Sequence, residues 1–260
     1  MNVMTGCVRG FARGRAILLA AVLLIGAPSA RATEAVDLEI VIATDVSSSI
    51  DEREAALQRH GFAAALRSPE VVRAIRYGAI GKIAIAYIDW SSEPFNRVIV
   101  DWRIIADEAS AEAFAQALLD SPRTYGQGTS IGGALRMAAA MIDSNAFDGT
   151  RRVIDVSGDG PNNRGSLAFA REQTLSKGIT INGLPIVTDG YGTGDWGGFY
   201  GQLDRYYETY VIGGPGAFSL PARGFEEFAT AIRRKLILEI SGDMPATRPR
   251  HDLAERQAGD

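Results

Sequence analysis

Asp45, Ser47 and Ser49 alternate in the run Asp45-Val46-Ser47-Ser48-Ser49. The run closes an apolar stretch, Leu38 to Thr44, and opens a helical pattern. One carboxylate and two hydroxyls at a strand end make a pocket of hard oxygen donors. Such donors favour Mg²⁺, Mn²⁺ or Ca²⁺ over zinc or copper. Two further loops suit the same pocket. Gly126-Gln127-Gly128-Thr129-Ser130 opens a helix, and Ser157-Gly158-Asp159-Gly160 ends a strand. Glycines beside Thr129 and Asp159 let the backbone come close to an ion. Read alone, the Asp45 run also fits a helix N-cap, because Asp and Ser are favoured there.

Together the three loops resemble a von Willebrand factor A domain. That family carries Asp-x-Ser-x-Ser, a later Thr in a Gly-flanked loop, and a later Asp-Gly after a strand. The resemblance spans roughly Leu38 to Ile240 and is greatest to uncharacterised secreted bacterial proteins with a single such domain. It implies a metal-ion-dependent adhesion site. Ser47, Ser49 and Thr129 would touch the ion, while Asp45 and Asp159 would hold it largely through water. Neutral hydroxyl ligands leave the ion most of its charge, so it seeks a carboxylate from a partner. The implied partner is a protein with an exposed Asp or Glu. One departure stands out: the usual final motif is Thr-Asp-Gly, and here it is Gly158-Asp159-Gly160. A true Thr188-Asp189-Gly190 occurs one strand later. Asp159 is preferred, since it follows Thr129 by one strand–helix unit.

Other constellations are weaker. Gly128-Thr129-Ser130-Ile131-Gly132 matches the nucleophile elbow of serine hydrolases, which needs a strand before it and a later histidine. Here a turn-like Ser121-Pro122 segment precedes it, and the later histidine is His251 in the polar tail. His60 reads as a helix-surface residue, and two distant histidines do not make a zinc site. The glycines between Gly190 and Gly198 lack the Lys-Ser or Lys-Thr of a phosphate loop. Trp196, Phe199 and Tyr200 beside them are either partner anchors or packing against the sheet edge. Asp155 lies in a buried strand and calls for an internal partner. Arg151-Arg152 and Arg233-Arg234-Lys235 read as solvated ends.

The elements that position these loops alternate strand and helix. Strands are expected at Leu38–Thr44, Lys82–Asp89, Arg97–Trp102, Arg152–Ser157, Ile179–Val187 and Tyr206–Ile212. Helices are expected at Ile50–Leu66, from Ser110 to about Leu119 with Ser110 as cap, from Ile131 through Ile142, at Ser166–Lys177, and from Phe225 through Leu236. The short link Ser91–Pro94 permits only an antiparallel neighbour. The pattern predicts an α/β doubly wound, mostly parallel six-stranded sheet, with one antiparallel edge strand and helices on both faces. Ligands of such sheets bind beyond the carboxyl ends of the strands, where Asp45 lies.

The chain has 260 residues, enough for one such domain after a targeting segment. Arg9, Arg13 and Arg15, the apolar run Ala16–Ala27 and then Pro28-Ser29-Ala30-Arg31-Ala32 describe a secretory signal peptide, residues 1–32, cleaved near Ala32. The run is too short for a bilayer, which needs about 20 apolar residues. The domain is expected over 33–241, with a disordered tail over 242–260 and a periplasmic or secreted location. The single cysteine, Cys7, lies in the signal segment, so the mature domain needs no disulfide. Cleavage removes four arginines and shifts the formal charge from −4 to about −8. That acidity argues against nucleic acid. The reading is a monomeric binding module and not an enzyme, with Mg²⁺, Mn²⁺ or Ca²⁺ as cofactor. Its alternatives are a periplasmic metal-dependent hydrolase, with Asp89 or Asp189 as base, and a metal-free scaffold using loop 189–201.

Overall fold

The structure, a computed structural model, describes Met1, residues 33–187 and residues 202–242. The expected signal peptide, the loop 189–201 with Asp189 and the aromatics, and the tail beyond 242 lie outside the described residues. The strands are β1 (Glu34–Asp45), β2 (Ile83–Trp90), β3 (Arg97–Ile105), β4 (Phe147–Gly158), β5 (Thr180–Val187) and β6 (Ala222–Arg223). The helices are α1 (Glu52–Leu66), α2 (Pro69–Arg76), α3 (Glu108–Asp120), α4 (Ile131–Ser144), α5 (Leu167–Ser176), α6 (Leu203–Tyr206) and α7 (Phe228–Ser241). The sheet order is β3-β2-β1-β4-β5-β6. Every pairing is parallel except β2 with β3. The antiparallel strand is thus an edge strand, as the short Ser91–Pro94 link requires.

Side chains alternate across the sheet, so β1 feeds two cores. Leu38, Ile40 and Ile42 pack with Phe62, Phe114, Phe228 and Leu236 on one face. Val41 and Ala43 pack with Ile131, Leu135, Ala138 and Ile154 on the other. β1 and β2 therefore read as nearly unbroken apolar runs, since both faces are covered.

Five expectations need correction. Ser110 does not cap α3. Asp107 is the cap, and Ser110 sits three residues on, completing a capping box. Helix α2 was not expected, although Ser68 caps it and Pro69 begins it. The segment Tyr206–Ile212 is no strand: α6 runs into a π-helical turn, Tyr207–Val211. The sixth strand is instead the two-residue β6. Lys235 is not solvated. It is fully buried, at 2.6 Å from Asp155 Oδ1 and 2.5 Å from Glu239 Oε1. Arg151 is likewise engaged, donating to the carbonyls of Glu239 and Ile240 at the end of α7.

Candidate metal site

Parallel register lines up the strand ends. Thr44 stands opposite Asp89 on β2 and Ser157 on β4, and Asp45 stands opposite Trp90. Asp45 and Asp159 thereby meet at one carboxyl edge. Asp45 Oδ1 accepts from the backbone N–H of Ser47 at 2.8 Å, an Asx turn that swings the chain off the sheet. The turn stacks the two serines. Ser47 Oγ lies 3.0 Å from Ser49 Oγ, and Ser49 Oγ donates to Asp159 Oδ1 at 2.8 Å. Helix α1 starts just beyond, but its cap is Asp51, whose side chain accepts from the Glu54 N–H. The capping role is therefore filled by Asp51, and Asp45, Ser47 and Ser49 are left for other work.

The Thr129 loop is pinned to the same edge. Gly126 N–H donates to the Val46 carbonyl at 3.1 Å, and Ser130 N–H to the Ser91 carbonyl at 2.5 Å. Gly126 must be glycine, since a Cβ there would lie 1.7 Å from Ser91 Oγ. Ser130, the supposed nucleophile, caps α4: its Oγ accepts from Gly133 N–H and donates to the Arg164 carbonyl. Asn163 clamps Thr129. Its Oδ1 accepts from Thr129 N–H at 2.8 Å, and its own N–H donates to the Thr129 carbonyl at 2.8 Å. Its amide reaches Thr129 Oγ1 only at 3.4 Å, so that hydroxyl keeps its capacity to bind an ion.

Asp45, Ser47, Thr129 and Asp159 are buried and Ser49 is half-buried. Burial, and next the charge of Asp159, pushes the Asp45 carboxyl well above its usual range. Burial also raises Asp159, against the opposing hydrogen bond from Ser49. Two buried carboxylates that repel each other need a cation between them or a proton on one. Asp45 Oδ2 is buried without a hydrogen-bond partner, although buried acceptors are nearly always satisfied. The donor set is all oxygen, two carboxylates and three hydroxyls, which fits a hard divalent ion.

Sequence reasoning missed the supports. Asn163 follows the Asp-Gly pair in the turn-like run Pro161-Asn162-Asn163-Arg164-Gly165, and that run was its only signal. Asp89, the candidate base, is held by Arg59 at 2.7 Å and Thr124 at 2.6 Å, so it orders the 121–125 turn. His60 is exposed on α1, its ring bonded to the Ala56 carbonyl.

The family model described as protein of unknown function, DUF1194, matches residues 35–244. The chain belongs to the DUF1194 family. Nothing matches it among curated proteins. Solved structures place the DUF1194 chain among von Willebrand factor A folds. Proximal thread matrix protein 1 of the mussel byssus, with a zinc-occupied MIDAS motif, gives TM-score 0.58 at 17% identity over 80% of this chain and 49% of its own. The pilus adhesin SpaC of Lactobacillus rhamnosus GG gives 0.57 at 16%, over 80% and 30%. A von Willebrand factor type A protein of Catenulispora acidiphila gives 0.54 at 15%, over 79% and 43%. The DUF1194 chain thus spans half or less of the length of each of these three proteins.

Proposed function

We propose that this chain is an exported binding module that grips an acidic protein ligand through a bound divalent ion. The observation that carries the reading is the meeting of two buried carboxyls, Asp45 and Asp159, at one serine pair. Ser47, Ser49 and Thr129 would contact the ion, and Asp45 and Asp159 would balance its charge. With neutral hydroxyls as its nearest neighbours, the ion stays a strong Lewis acid toward a carboxylate. The rim offers such a ligand an exposed cation. Arg164 lies against Gly128 beside Thr129, whereas Arg123 donates to the Ile50 and Asp51 carbonyls. The mussel protein's occupied motif and the pilus protein's adhesive role support the same reading by likeness of fold. Export rests on the N-terminal sequence. Among the described residues no helix is long and apolar enough to cross a membrane. Mg²⁺ is the expected ion, with Mn²⁺ and Ca²⁺ as substitutes.

The test is capture from the source organism's envelope extract, in Mg²⁺ and in EDTA, with wild type and Ser49→Ala. A partner held only by wild type in Mg²⁺ establishes ion-bridged binding. A partner held equally in every lane overturns it.

A further inference from the structure

Gly158 stands where the Thr-Asp-Gly pattern puts a threonine, and the structure shows what fills that place. A Cβ on Gly158 would lie 2.9 Å from Asp45 Oδ2, 2.9 Å from the Tyr207 hydroxyl and 3.2 Å from the Trp90 ring. The two oxygens therefore border the same space, the one a side chain would take, and lie at most twice that distance apart. Tyr207, Asp45 and Trp90 are all fully buried. Asp45 Oδ2 and the Tyr207 hydroxyl each lack a hydrogen-bond partner, and no direct bond joins them. One is an acceptor and the other carries a donor proton, so each supplies what the other lacks. The tyrosine ring is fixed by a second close approach, since a Cβ on Gly183 of β5 would come within 2.6 Å of its edge.

We propose that Tyr207 is a positioning residue of the ion site, its hydroxyl donating to Asp45 Oδ2 through one water. This rests on the ion reading above. A hydrogen-bonded carboxylate is held in one rotamer, aimed at the cation. The missing threonine and the buried tyrosine are then one adaptation: the phenol occupies the volume a side chain at 158 would need. The neighbouring Tyr206 reaches another side of the site. Its hydroxyl accepts from the Asn162 N–H at 3.2 Å, in the loop that clamps Thr129. The π-helical turn that begins at Tyr207 fits this placement, because such turns are frequent at functional sites.

The test uses Tyr207→Phe, which keeps the ring and deletes the oxygen. Mn²⁺ affinity is measured by calorimetry on the full mature chain, and the tyrosine ultraviolet difference spectrum is recorded during Mg²⁺ titration. Partners of ligating groups set affinity by about 10- to 100-fold, so Tyr207→Phe should bind Mn²⁺ at least about tenfold more weakly. Wild type should show a tyrosine difference signal that saturates with Mg²⁺ and is absent from the variant. In EDTA, the shifts in melting temperature of Tyr207→Phe and Asp45→Ala should be non-additive in the double variant, as those of residues in one hydrogen-bond network are. Wild-type Mn²⁺ affinity in Tyr207→Phe, or additive shifts with no difference signal, overturns the tyrosine's role alone. A wild type that takes up no Mn²⁺ overturns the ion reading and this proposal with it.

Discussion

At the residue scale, the site is defined by what it excludes as much as by what it offers. Ser47, Ser49 and Asp159 form one chain of side-chain oxygens through bonds of 2.8 to 3.0 Å, and Asp45 is tied to it by the Ser47 backbone N–H. Thr129 lies in the loop pinned to the same sheet edge, and Asn163 clamps it there. Asn163→Ala should therefore leave the fold nearly unchanged and weaken Mn²⁺ by about tenfold, because it acts on the ligand's orientation. Calorimetry on the folded variant checks this, and unaltered affinity would show that the clamp is dispensable. Gly158→Ala works in the other direction, by adding atoms. Its methyl meets Asp45 Oδ2 and Tyr207 at 2.9 Å, inside normal contact. Overpacking of this kind costs about 1–3 kcal/mol, so chemical denaturation should show a loss in that range together with weaker ion binding. A variant as stable as wild type would mean that the slot relaxes freely. The motif residues were legible from the sequence because their types and order carry chemistry. Asn163, Tyr206 and Tyr207 were not, because they reach the site sideways from other elements and obey no spacing rule.

At the element scale, the strands and long helices were legible where both faces of the sheet or one stripe of a helix are apolar. The failures have specific causes. Tyr206–Ile212 is rich in Tyr, Thr, Val and Ile, which fit a pleated sheet, yet packing of Tyr207 and Val211 into the core made it helical. Lys235 looked like a surface charge because its partner Asp155 lies on a different element, 80 positions earlier in the sequence. That ion pair, extended by Glu239 and Asn182, ties α7 to β4 and β5. Removing one member strands the others. Lys235→Ala should cost about 3–5 kcal/mol in denaturant unfolding. The group also makes α7 sensitive to pH. Burial, and next the charge of Asp155, raises Glu239 to about 7, against the opposing pull of Lys235. Its folded value exceeds its unfolded one, so the native state binds more protons between about pH 4.5 and about pH 7. This contribution is greatest below the unfolded value and is lost as pH rises toward 7. Glu239→Gln should flatten that slope in metal-free protein, and a melting-temperature profile with the wild-type slope would contradict it.

At the scale of the whole molecule, the ion and the proton compete for the same carboxylates. Asp45 and Asp159 share the sign of Glu239: both are raised, chiefly by burial, so the metal-free protein gains stability on mild acidification. A bound cation reverses their preference, since it favours the ionised forms and must displace any proton held there. Ion affinity should therefore fall as pH drops. An ion bound only by the native state stabilises it by mass action, about 2.7 kcal/mol at a hundredfold excess over Kd. The melting-temperature difference between Mg²⁺ and EDTA should accordingly be largest at high pH, shrink as pH falls, and vanish at every pH in Ser49→Ala. The Glu239 contribution is common to both conditions and cancels from that difference, so the measurement isolates the site. A difference that does not change with pH would mean that the ion binds elsewhere, on carboxylates that are already ionised. No difference at any pH would mean that the buried carboxylates settle their repulsion with a proton, and that the oxygen cluster serves the fold alone.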